Sequence, residues 1–92
     1  MIKYIYASKN VKSGNFNTPM LYDFNADNAR EAFEVSFKET PKEGVEAVKE
    51  LDIYYLGTYD IKIGLFKQEE VVFIVSGASI LGDTNGRERK DS

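Results

Sequence analysis

The sequence predicts an α+β domain, a mostly antiparallel sheet of about five strands with one or two helices packed on one face. Three observations lead there. Segments 2–7, 18–24 and 51–59 alternate as two-faced strands do. Segment 25–39 carries apolar residues at helical spacing. Of the connections, only the one holding the helices is long enough for a parallel crossover.

The first strand puts Ile2, Tyr4 and Tyr6 on one face and Lys3, Ile5 and Ala7 on the other. Ser13-Gly14-Asn15 signals a turn. Thr18 to Phe24 reads as a second strand, with Pro19 at its start or on an edge because proline has no ladder donor. The helix follows over Asn25 to Glu39, capped by Asn25 or Asp27, with Ala29, Ala32, Phe33, Ser36 and Phe37 as its inward stripe. Its charged face, with Arg30, Glu34 and Lys38 at i,i+4 spacing, reads as a solvated face.

Thr40-Pro41-Lys42-Glu43 has the capping-box pattern and predicts a short second helix over Pro41 to Glu50, or a turn-rich linker. Leu51 to Tyr59 is a strand, with Leu51, Ile53, Tyr55, Gly57 and Tyr59 on one face, and Gly57 inside it points to a bulge. Ile61 to Phe66 reads as a short strand, Lys67 to Glu70 as a turn, and Val71 to Val75 as a central strand covered on both sides. Ser76-Gly77-Ala78-Ser79 bends the chain before the apolar anchor Ile80-Leu81. The expected organisation is one domain over residues 1–81 and a disordered polar tail from Gly82 to Ser92, which has nothing to bury.

Composition narrows the function. The 92 residues hold 6 Tyr and 6 Phe but no His, Cys or Trp. No side chain titrates near neutrality at its ordinary pKa, and no thiolate is available as nucleophile or metal ligand. Lys12-Ser13-Gly14 lacks the glycine run and the helix of a phosphate loop. The carboxylates of Asp23 and Asp27, or of Asp52 and Asp60, are candidates for a hard cation, but isolated surface carboxylates are usually solvated. The chain therefore reads as a non-enzyme with no cofactor and no metal. No segment resembles a signal peptide and no apolar run can cross a bilayer, so no membrane partner is expected.

Aromatic residues on strands either fill a core or form a platform on which nucleic-acid bases stack. The stacking candidates are Tyr4, Tyr6, Tyr22, Tyr54 and Tyr59, with Lys3, Lys62, Arg87, Arg89 and Lys90 as phosphate contacts. Parity makes Tyr4 and Tyr6 either both core or both exposed, and gives Tyr54 and Tyr55 opposite fates. A net charge of −3 limits how many phosphates can be neutralised. Surplus aromatics and exposed strand edges also suit a protein-interaction module, with a homodimer as its simplest form.

Gly14-Asn15-Phe16-Asn17-Thr18-Pro19-Met20, Asn28-Ala29-Arg30-Glu31-Ala32-Phe33, Ile53-Tyr54-Tyr55-Leu56-Gly57-Thr58-Tyr59-Asp60 and Val75-Ser76-Gly77-Ala78-Ser79 occur in that order within residues 1–81. Together they resemble the small nonstructural protein of gokushovirus-type microviruses, tailless phages with single-stranded DNA genomes. Family members usually carry a His-Pro-Glu-Asp-Tyr-like stretch where this chain has Glu46-Ala47-Val48-Lys49-Glu50-Leu51-Asp52, and many are shorter at the C-terminus. The resemblance implies a non-enzymatic phage protein in the host bacterial cytoplasm that binds single-stranded DNA during genome replication or packaging. Its alternative is an interaction module for a phage or host protein. It supplies no catalytic residue.

Overall fold

The structure, a computed structural model, describes residues 1–82. The chain runs β1 (Ile2–Asn10), β2 (Met20–Tyr22), α1 (Ala26–Lys38), a 3₁₀ turn (Lys42–Gly44), α2 (Val45–Lys49), β3 (Leu51–Asp60), β4 (Leu65–Ser76) and α3 (Gly77–Leu81). The strands form one antiparallel sheet in the order β2-β1-β3-β4. The fold is α+β as expected, with four strands rather than five.

α1 forms where its sequence pattern puts it. The Asn25 side chain accepts a hydrogen bond from the Asn28 N–H at 3.2 Å, taking up a free donor of the first turn. Ala29, Phe33 and Phe37 are buried, and Glu34 pairs with Lys38 on the outer side at 3.3 Å. Ser36, placed by spacing on the inward stripe, is exposed at its edge.

The core gathers around Tyr6, which is 1% exposed. Its ring centroid lies 5.6 Å from Tyr22, 5.3 Å from Phe24, 5.4 Å from Phe33 and 5.5 Å from Tyr55. Its hydroxyl donates to the Phe24 carbonyl at 2.9 Å, so the one polar atom of this ring is satisfied inside the core. Val48 of α2 and Ile80 of α3 pack against the same cluster, so all three helices lie on one face of the sheet.

Four expectations change. The strand expected over Thr18 to Phe24 shrinks to Met20–Tyr22, because Pro19 cannot donate to a ladder. The capping box does not form: Pro41 caps the 3₁₀ turn without any side-chain bond, and its ψ of 153° keeps it extended. The turn expected at Lys67 to Glu70 lies instead at Ile61–Gly64. There Asp60 Oδ1 accepts from the Lys62 N–H at 2.9 Å and Gly64 takes a φ of 71°. Lys67 to Glu70 is then part of one long strand, and Val71 to Val75 lies on the sheet edge, with Phe73 50% exposed.

Two glycines are required by close approach. Gly57 sits where the β3–β4 register shifts, at a φ of 157°, and a Cβ there would lie 2.2 Å from the Lys67 carbonyl oxygen. Gly77 opens α3, and a Cβ there would lie 1.9 Å from the Val48 carbonyl oxygen, so only glycine lets α3 meet α2. Ser76 caps α3 through hydrogen bonds accepted from the Ala78 and Ser79 N–H groups.

Because Phe33 contacts three core aromatics besides Phe37, Phe33→Ala should cost about 3–5 kcal/mol in chemical denaturation. A loss under about 1 kcal/mol would contradict this packing.

Burial, and then the hydrogen bond it donates to Glu69 at 2.8 Å, push the Tyr55 phenol up to about 12. Burial also raises the Tyr6 phenol, with Tyr55 and Tyr4 adding to it. Both phenols titrate near ~10 in an unfolded chain. Their contribution is therefore intact below about pH 10 and lost as pH rises through the raised folded values. Alkaline denaturation followed by circular dichroism and phenolate absorbance should show unfolding and late phenolate formation together; stability that stays flat to about pH 12 would refute it.

Candidate nucleic-acid interface

The face of the sheet opposite the helices is built from positions that alternate with the core. Tyr55 points into the core, so its neighbour Tyr54 points away. Tyr54 lies directly across from Ala7 on β1 and from Phe73 on β4. Its ring meets Phe73 at 5.7 Å and 72°, an edge-to-face contact.

A tight reversal after β1 brings in a third ring. The Asn10 side chain accepts from the N–H groups of Lys12 and Ser13, and Gly14 takes a φ of 77°. The chain then returns beside β1, with the Asn17 N–H donating to the Ser8 carbonyl at 2.8 Å. Phe16 thus bridges Lys9 and sets its ring 5.4 Å from Tyr54 at 70°. The Lys9 ammonium lies 5.5 Å from the Phe16 centroid and 5.8 Å from Tyr54, within cation–π range of both.

Phe16, Tyr54 and Phe73 therefore form a row across β1, β3 and β4. Phe16 is 46% exposed and Phe73 50%, with Tyr54 half-buried between them. Lys9 has no carboxylate partner among the described residues, although Asp52 lies across from it in the ladder. Nearby, Lys12 pairs with Glu50 at 2.9 Å, which raises the lysine pKa and lowers that of the glutamate.

Further along the same face, Ile5, Pro19, Leu56 and Phe66 line a shallow apolar depression of about 230 Å³. The register shift at Leu56 matters here. Tyr6 faces Tyr55, but Ile5 faces Gly57 and Lys3 faces Tyr59. Directly opposed residues share a face, so Tyr59 turns to the side of Ile5, away from Tyr55 with which strict alternation grouped it. It stacks on Phe66 at 4.3 Å and 31°.

The residues proposed from sequence thus separate. Tyr6 is core and cannot receive a base. Tyr4 and Tyr22 pack against that core from the helix side. Lys3 is held in an ion pair by Asp23. Tyr54 and Tyr59 are on the open face. Lys62 is exposed in the β3–β4 turn. Arg87, Arg89 and Lys90 lie outside the described residues. Sequence reasoning did not single out Phe16, Phe73 and Lys9 as a site. The isolated bridge from Lys9 to Phe16 leaves no strand pattern to detect, and Phe73 sits in an apolar run that reads as core.

Among the described residues no group of three or more acidic side chains is placed to hold a metal ion. Asp52 and Asp60 stand at opposite ends of β3, and Asp60 engages the N-terminal amine at 3.7 Å. No described helix is long and apolar enough to cross a membrane. The chain matches no protein-family model, no curated protein and no solved structure.

Proposed function

We propose that this protein binds single-stranded DNA, without catalysis, on the open face of its sheet, as a nonstructural protein of a small single-stranded DNA phage. The row of Phe16, Tyr54 and Phe73, with Lys9 over two of its rings, carries the reading. Exposed rings on an uncovered sheet accept bases of any sequence, because every base has a π face. The resemblance to gokushovirus-type nonstructural proteins supports the choice of a single-stranded ligand and a role in replication or packaging.

Charge sets the character of this binding. The chain carries a net −3, and several lysines already have carboxylate partners. The excess of acidic over basic residues keeps the number of neutralised phosphates small, so stacking supplies most of the affinity. Each base stacked on the row contributes about 1–3 kcal/mol.

The test is a titration of the full chain with a fluorescent single-stranded oligonucleotide at two salt concentrations. The slope of log K against log salt should be shallow, about −2 to −3, from about −0.7 per neutralised phosphate. Tyr54→Ala should weaken binding about tenfold or more while leaving that slope nearly unchanged. Lys9→Gln, or replacement of Arg87, Arg89 and Lys90, should mainly flatten the slope. No binding in low salt would sink the DNA reading and leave the open face as a protein-interaction surface.

A further inference from the structure

We propose that the depression above Gly57 seats one base of the bound strand, against Phe66 and the Gln68 amide, and favours a purine there. The inference rests on the single-stranded DNA reading and deepens it. The row of Phe16, Tyr54 and Phe73 offers ring faces, whereas the depression adds a group that hydrogen-bonds a base edge.

The backbone builds the depression. Gly57 faces Ile5 on β1 and Gln68 on β4. Directly opposed residues share a face, so Ile5 and Gln68 stand on the open face with no side chain between them. The gap is fixed, because a Cβ at Gly57 would lie 2.2 Å from the Lys67 carbonyl oxygen. Leu56, left without a partner on β1, joins Ile5 and Pro19 as an apolar lining. Phe66 and Gln68 close the β4 side, around about 230 Å³.

This chemistry suits a nucleobase. A phosphate would lose its water against the apolar lining with nothing to replace it, while a flat heterocycle would not. Phe66 is 68% exposed even with Tyr59 against it at 4.3 Å, so its ring is open to a base. The Gln68 side-chain amide has no hydrogen-bond partner among the described residues. It carries a donor and an acceptor side by side, as the edge of an unpaired base does. Preferences among stacked bases follow stacking strength, and two fused rings cover more of Phe66 than one.

The depression also adjoins the row. Ala7 faces Tyr54, and Ile5 faces Gly57. Ala7 and Ile5 are two residues apart on β1, about 7 Å on the same face. A strand with one base on Tyr54 therefore brings a neighbouring base to the depression.

The test titrates the isotope-labelled full chain with two single-stranded oligonucleotides of equal length, one of uniform dT and one with a single central dA. Nuclear magnetic resonance follows Phe16, Tyr54 and Phe73 as one set, and Ile5, Leu56 and the Gln68 side-chain amide as another. Both sets should shift, and the dA oligonucleotide should bind about threefold more tightly or better. Phe66→Leu should abolish that gain. Gln68→Leu should weaken binding of both oligonucleotides about threefold or more, with the shifts of the row retained. Both positions are exposed, and circular dichroism checks that the variants fold. Shifts confined to the row would overturn the base seat and leave the DNA reading standing. So would a purine gain that is missing or that survives Phe66→Leu, or a Gln68→Leu variant that binds as the wild type does. Shifts in neither set would overturn both.

Discussion

Tyr6 is the constraint on which the rest of this structure hangs. It stands on β1, between β2 and β3, and meets rings from β2, α1 and β3 together with Phe24 ahead of the helix. Rings in edge-to-face and tilted contact add to the burial of their own area. The sheet order follows from it, since Tyr22 and Tyr55 reach Tyr6 only from strands on either side of β1. The helix follows as well: Phe33 must lie over that cluster, and α1 turns Ala29 and Phe37 inward with it. Four of the six tyrosines in the chain, Tyr4, Tyr6, Tyr22 and Tyr55, are taken up on this side.

That commitment decides what is left for function. A two-faced sheet with helices on one side leaves its other side to whatever alternates with the core. Tyr54 faces outward because Tyr55 faces inward, and Phe73 follows because it is in register with Tyr54. Phe16 arrives by a different route, a turn built by Asn10 and Gly14. The open face is thus a by-product of core packing at two rings and a separately built feature at the third. A ring placed by its own turn, and not by the core, is the stronger sign that the row has a use.

Much of this was legible in the residues. The spacing of Ala29, Phe33 and Phe37 defines α1, and the parity of Tyr54 and Tyr55 separates surface from core. What was not legible has a common cause. Strict alternation holds only along a regular strand, and β3 and β4 are both irregular near Leu56. Gly57 signals an irregularity, but a glycine does not say how many residues the partner strand inserts. Strict alternation therefore groups Tyr59 with Tyr55, although it lies across the sheet from it. The run Val71 to Val75 misleads for a related reason. A second register shift near Ile53 brings the adjacent residues Ile74 and Val75 both inward, so continuous apolar character arises on an edge strand without cover on two sides.

The irregularity also shapes the candidate interface. One extra residue of β3 against β1, Leu56, turns Tyr59 to the open face, and Phe66 follows because it is in register with Tyr59. Tyr59 and Phe66 therefore extend the exposed aromatic surface beyond the row of Phe16, Tyr54 and Phe73. For a chain with a net charge of −3, added aromatic surface is the route to affinity that its acidic composition leaves open.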